Sequence, residues 1–185
     1  MTPLGRLFLG LVLAATMATP AAAQEERKDL QIFKDISDSV LTYVRFTVFD
    51  DIGVSVEKGA VTLTGKVTMP FKRTDIEQRV AKIAGVRSVE NRITVLPVSQ
   101  FDDDLRWGIA RAIYGNGAFV QYASMANPPI HIVVEHGKVT LTGVVNNEVE
   151  RVLARTLASG FLEFSLTNEL RTDAEVRTAL EKLGG

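Results

Sequence analysis

The chain has 185 residues, 46% of them hydrophobic, a formal net charge of −1 and no cysteine. Such a length and composition suit one medium domain or two small ones. The near-neutral charge gives no long-range field that would draw nucleic acid, and the missing thiols exclude disulfides, thiol catalysis and thiolate metal sites.

The first residues read as an export signal. Arg6 supplies a positive n-region, Leu7 to Met17 an apolar run, and Ala21-Ala22-Ala23 before Gln24 a small-residue cleavage site. The run is shorter than the roughly 20 apolar residues a transmembrane helix needs. Residues 1–23 are therefore expected to be cleaved after Ala23. No Cys follows the site, so the mature chain is not expected to be a lipoprotein. The expected location is a bacterial periplasm.

Gln24 to Lys28 is charged and expected to be a loose lead-in. From Asp29 to about Tyr43, Ile32, Ile36, Val40 and Tyr43 recur at helical spacing and predict a helix with one apolar face. Val44 to Phe49 is β-branched and aromatic and is given no element; Phe46 and Phe49 are expected to complete the core. Asp50-Asp51 reads as a solvated turn, since no further ligands accompany the two carboxylates.

The next stretch organises the chain. Gly59-Ala60-Val61-Thr62-Leu63-Thr64-Gly65 recurs as Gly137-Lys138-Val139-Thr140-Leu141-Thr142-Gly143, 78 positions on. Such self-similarity marks a tandem duplication. Lys58-Gly59 and His136-Gly137 each separate two alternating apolar runs, which predicts type I′ hairpins. The register then puts Val56, Val54 and Ile52 opposite Val61, Leu63 and Gly65. In the second copy Val134, Ile132 and Ile130 face Val139, Leu141 and Gly143. A one-residue slip would break every apolar pair. Gly65 and Gly143 are expected to leave room for a close backbone or a large side chain.

Thr68 to Ala84 predicts a second helix, with Ile76, Val80, Ile83 and Ala84 on one face and Gly85 as its stop. Val89 to Val95 alternates as a third strand, with Asn91 pointing inward. Its recurrence as Asn168 favours a buried amide that satisfies backbone groups over a ligand contact. Leu96 to Gln100 is a short linker. Asp102-Asp103-Asp104 opens the next helix, about Asp103 to Tyr114, where acids suit the macrodipole.

On that helix Leu105, Ile109, Ala112 and Ile113 form the inward stripe. Trp107, Arg111 and Tyr114 lie roughly opposite it at ~100° per residue. Two readings stand for these three and for Phe119, Tyr122 and Met125 in the loop from Ala118 to Pro129. They form an interfacial patch for lipid head groups or a partner. Otherwise they pack on the first repeat or under the loop. The outer face of the second hairpin, His131, Val133, Thr140, Thr142 and Val144, is also the more apolar of the two. His131 and His136 have poor metal spacing and are expected to be solvated or packed. Asn147 with Glu150 opens a fourth helix carrying Val149, Val152, Leu153 and Leu157. Phe164, Leu166, Asn168 and Leu170 alternate as the last strand. Thr172 with Glu175 caps a C-terminal amphipathic helix. That helix has the second repeat or another chain to dock on.

The order helix, hairpin V-x-V-x-x-G-x-V-T-L-T-G-x-V, helix, and strand V-x-N-x-[IL] resembles the BON domain. Val54 to Val67 with Val89 to Ile93, and Ile132 to Val145 with Leu166 to Leu170, carry the likeness, which spans about residue 30 to residue 171. The resemblance implies a non-enzymatic family associated with envelope integrity, osmotic induction and phospholipid surfaces. It implies no catalytic residues.

The reading that follows is α+β, with two tandem αββαβ repeats. Their expected limits are 1–23 signal, 24–97 first domain, 98–172 second domain and 173–185 C-terminal helix. No nucleophile elbow, phosphate loop or His-acid dyad points to an enzyme, and no cofactor or metal is expected. The expected partner is a phospholipid surface or an envelope protein, with self-association through the C-terminal helix as a further reading. Trp107, Arg111 and Tyr114 are the candidate contact residues. Gly59, Gly65, Asn91, Gly137, Gly143 and Asn168 are the candidate turn and core residues.

Overall fold

The computed structural model describes residues 21–184, with side chains from residue 29 onward except those at 180 and 182–184. The expected export signal lies outside the described residues but for its last three, which begin the first helix. In chain order the elements are α1 (Ala21–Leu41), β1 (Asp51–Glu57), β2 (Ala60–Val67), α2 (Pro70–Val80), β3 (Ser88–Asn91) and β4 (Thr94–Val95). There follow α3 (Gln100–Tyr114), α4 (Val120–Ala123), β5 (Ile130–Glu135), β6 (Lys138–Val145), α5 (Glu148–Ala158), β7 (Ser165–Asn168), β8 (Arg171–Thr172) and α6 (Asp173–Gly184). The fold is α+β, built twice. Gln24 to Lys28 is helical and continuous with α1, so the loose lead-in is corrected.

Each repeat forms its own sheet, ordered β1-β2-β3 with β4 also on β2, and β5-β6-β7 with β8 also on β6. The hairpins take the register the alternation dictates, Val54 opposite Leu63 and Ile132 opposite Leu141. Lys58 and Gly59 sit at φ 49° and 79°, His136 and Gly137 at 52° and 73°. Both central residues of a type I′ turn require such values. The strand after each second helix runs parallel to the hairpin and breaks in two at its Asn. There the Asn91 Oδ1 accepts the Ile93 N–H and the Asn168 Oδ1 that of Leu170, which takes those groups out of the ladder.

Two apolar cores result. One gathers Ile32, Ile36, Val40, Tyr43, Leu63, Ile76 and their neighbours under α1 and α2. The other gathers Ile109, Ile113, Ile130, Ile132, Leu141 and Ala154. The unassigned segment after α1 is shared between them: Phe46 enters the first core and Phe49 the second. The segment Ala118 to Pro129 is not an open apolar loop. It holds a 3-10 turn and α4, with Phe119 and Tyr122 buried in the second core. The Tyr122 hydroxyl donates to Glu150 at 2.6 Å and accepts the Asn146 N–H. Thr172 and Glu175 form the reciprocal cap of α6. That helix lies against β6 and β8 and also against α1 of the first repeat. None of the helices among the described residues is long and apolar enough to cross a membrane.

Candidate functional site

The six candidate turn and core residues lie in the hairpins and in the strands that follow the second helices. The Asn91 amide donates to the Arg73 carbonyl at 3.1 Å and the Asn168 amide to the Arg151 carbonyl at 3.0 Å. Each Asn thus ties its strand to the preceding helix, the kind of backbone satisfaction a buried amide provides. Gly65 and Gly143 have φ of 111° and 110°, and a Cβ there would stand 2.1 Å from the Asp51 carbonyl oxygen and 1.9 Å from that of Pro129. Only a hydrogen fits, so of the two expectations the close backbone is the one found. Gly137 has a buried place under the Phe164 and Phe101 rings. Gly59, in the first turn, is held by a carboxylate.

That carboxylate is Asp29, which accepts the N–H groups of Lys58 and Gly59 at 2.6 and 2.9 Å. Asp102 does the same for His136 and Gly137. Asp102 is fully buried in the first turn of α3, where it holds the hairpin turn as well as suiting the helix dipole. Asp50 is likewise buried and not a solvated turn. Its oxygens accept from the backbone N–H and hydroxyl of both Thr47 and Thr68, and from the Lys72 ammonium at 2.6 Å. Burial alone would raise the Asp50 carboxyl, but the Lys72, Thr68 and Thr47 hydrogen bonds outweigh it and hold the group below its ordinary range.

The segment before Asp50 makes one aromatic contact with each repeat. Phe49 packs edge-to-face on Trp107, ring centroids 4.8 Å apart. Trp107 remains 57% exposed, propped outward on α3. Arg111, one turn on, is exposed and has no ion-pair partner among the described residues. At the other end of the Phe49 loop, the Arg45 guanidinium lies 5.1 Å over the Phe71 ring, and Phe71 and Met69 at the start of α2 are exposed. Arg45, Met69 and Phe71 are not among the contact residues expected from the sequence. Their one local signal is Met69-Pro70-Phe71, apolar residues at a helix start where the inward stripe does not need them.

Tyr114 does not join the exposed Trp107 and Arg111. Its ring packs against the second core and its hydroxyl donates to the Ile130 carbonyl. Burial drives the phenol well above its usual range, although the Ile130 bond opposes this. The three-residue stripe is corrected to two outward residues, Trp107 and Arg111. Tyr114 lies on the flank of the helix nearest β5, and its length carries the hydroxyl back to the strand.

The apolar outer face of the second hairpin meets the first repeat. The Ile132 N–H donates to the Val48 carbonyl at 2.7 Å, Thr142 donates to Asp51 at 2.9 Å, and Lys66 pairs with Glu135. The His131 ring lies 5.2 Å from that of Phe46, and its buried Nδ1 has no hydrogen-bond partner. Burial pushes the imidazole below its usual range, against the raising effect of Asp51 and of nearby backbone groups. A cleft of about 520 Å³ remains between the repeats, bordered by Val40, Phe46, Val54, His131 and Val144. Among the described residues no three His, Cys, Asp or Glu side chains gather as a metal set.

Comparison with known proteins adds three findings. The family model for the BON domain matches residues 29–97 and 117–164. Two solved structures of CdsD, a structural protein of the Type III secretion system of Chlamydia trachomatis, are similar. The first is 12% identical, covering 82% of this chain and 97% of the other at a TM-score of 0.29. The second, a C-terminal domain of CdsD, is 17% identical, covering 83% and 70% at a TM-score of 0.33. No curated protein matches the chain.

Proposed function

Since the chain belongs to the BON-domain family, we propose that it is a non-catalytic protein of the bacterial periplasm that binds phospholipid surfaces and supports envelope integrity under osmotic stress. In this reading the chain is cleaved after Ala23, residues 24–97 and 98–172 are its two BON-like domains, and 173–185 is an appended helix. The observation that carries the proposal is Trp107. A half-exposed indole, packed on Phe49 and followed one turn later by Arg111, which has no ion-pair partner among the described residues, has the chemistry of a head-group contact. The indole has an apolar body and a polar N–H, and a guanidinium matches phosphate oxygens in a bidentate manner. Arg45 and Phe71 extend the same pairing of cation and ring on the first repeat. Because the chain is slightly acidic overall, attraction to anionic lipid is local and weakens with salt. Liposome co-sedimentation with lipid charge and salt varied tests the reading. Binding that ignores both Trp107→Ala and Arg111→Glu would overturn it.

A second reading, a module for protein assembly, is favoured by one specific difference between the repeats. Phe164 donates its N–H to the Gly137 carbonyl as Arg87 does to that of Gly59. In the second repeat this position is thus an exposed Phe resting on Phe101, beside exposed Leu162. Crosslinking from position 164 would capture a protein in this reading and nothing in the lipid reading.

A further inference from the structure

Strand β1 is the outer strand of the first sheet. The two-residue turn decides which of its backbone groups face outward. Glu57 and Ala60 close the turn as a hydrogen-bonded pair, and the pattern alternates from there. The N–H and C=O groups of Ile52, Val54 and Val56 therefore point away from β2. The second hairpin has the same register, and one outward group of each of its three corresponding residues is engaged. The Ile130 carbonyl accepts from Tyr114, the Ile132 N–H donates to the Val48 carbonyl, and the Val134 carbonyl accepts from Arg106. On β1 the corresponding groups of Ile52, Val54 and Val56 have no partner among the described residues.

The helices explain the difference. Asp29 and Asp102 hold the two turns alike, so α1 and α3 can be aligned on them. In that alignment Phe33 stands where Arg106 stands and Leu41 where Tyr114 stands. Neither Phe nor Leu can donate a hydrogen bond. An unpaired strand edge is a template for another strand, and proteins usually blunt it. Here it is left open on a cleft. Ile52, Gly53 and Val54 form one wall of the 520 Å³ space, Ser37, Val40 and Leu41 of α1 a second, and Thr142 to Val144 of β6 a third.

We propose that this cleft takes an extended segment of a partner protein, which adds to β1 as a further strand. Main-chain bonds to the Val54 N–H and the Ile52 carbonyl supply affinity, and alternate side chains supply specificity. Val40, Phe46 and Val144 offer an apolar wall to every second side chain of the segment. The charged lining is Asp51, Glu169 and Arg171, two carboxylates to one guanidinium, so the segment carries a basic residue. This site is separate from the Trp107 face and does not depend on lipid binding.

The test uses the full chain and two synthetic peptides blocked at both ends, Lys-Val-Thr-Val-Thr-Val-Lys and its counterpart with Glu at both ends. The Lys-ended peptide should bind more tightly than the Glu-ended one and slow hydrogen exchange at the Val54 amide at least about tenfold. Val54→Pro should weaken binding at least about tenfold relative to Val54→Ala, which loses the same packing on the first core but keeps the N–H. The Val54 N–H serves no bond within the fold, and proline is tolerated on an edge strand. Should Val54→Pro fail to fold, Leu41→Tyr gives an independent test. It would supply to β1 the hydroxyl that Tyr114 supplies to β5, and should compete with the peptide. Absence of binding by either peptide, binding with unchanged Val54 exchange, or full binding by Val54→Pro would each overturn the proposal. So would protection of Val54 by phosphatidylglycerol vesicles in place of the peptide.

Discussion

Asp102, in the first turn of α3, accepts the backbone N–H of Gly137 at 2.7 Å. The helix thereby fixes the hairpin turn, and Asp29 repeats the device on Gly59. The two sites differ in burial. Asp102 is fully buried, whereas Asp29 is only half-buried. Asp102→Ala leaves two turn N–H groups, one of them buried, without an acceptor, which should cost about 2–4 kcal/mol. Asp29→Ala exposes its turn donors to water and should cost about 1 kcal/mol. Urea melts of the two variants check the order; equal losses would mean that burial does not set the cost.

Asp50 and Lys72 form a buried pair, with neither side chain more than 5% exposed. Lys72→Met removes the cation and leaves the carboxylate uncompensated, a loss of roughly 3–5 kcal/mol at neutral pH. The pH dependence follows from the direction of the shift. The wild-type Asp50 carboxyl is held below its unfolded value, so its contribution is present above about pH 4 and is lost as pH falls through the folded value. In Lys72→Met burial is opposed only by the Thr bonds, the carboxyl rises, and acid relieves the penalty. The gap between variant and wild type should therefore narrow between pH 7 and pH 4.5, as read by urea midpoints.

The His131 imidazole gives a slope at higher pH. Burial keeps it below its ordinary value, so the folded and unfolded chains differ in proton uptake only as pH falls toward that ordinary value. As pH falls through about 6.5 the unfolded chain takes up a proton that the folded chain refuses, and stability drops. The drop ends once pH passes below the folded value. His131→Leu removes the group and should flatten the stability profile between pH 7.5 and 5.5. A variant with the wild-type slope would assign the titration elsewhere.

Much of this architecture was legible because the repeat is a local signal. Identical runs around Gly59 and Gly137 fix the turn, and period-two alternation then fixes the register of Val54 on Leu63 and Ile132 on Leu141. What escaped is what depends on distance in space. Asp29 and Asp102 reach their turn glycines over 30 and 35 residues, so the device does not keep the 78-residue spacing of the repeat. Asp50 reads as a turn acid because its partners Thr68 and Lys72 lie beyond a whole hairpin. Helical angle alone sent Tyr114 outward, since it ignores how far a phenol extends. The contact between repeats through Phe46, Phe49, His131 and Lys66 has no periodicity to announce it.

Trp107 decides the functional reading. It is the chain's single Trp, so its emission reports one site. At 57% exposure it should emit toward the red in the free protein, which leaves room for a blue shift. Adding vesicles of phosphatidylglycerol and phosphatidylcholine should produce that shift, because the indole leaves water for the head-group region. Arg111→Glu should abolish the shift by replacing a phosphate partner with a repelling charge, and added salt should reduce it. Trp107→Ala should weaken co-sedimentation by about 1–3 kcal/mol, the value of burying a large apolar side chain. Tyr114→Phe serves as the control: it removes only the hydroxyl on the Ile130 carbonyl, so it should lower stability by about 1 kcal/mol and leave vesicle binding unchanged. Emission indifferent to vesicles, or binding retained in both Trp107→Ala and Arg111→Glu, would remove this face from the membrane reading and leave the assembly reading in its place.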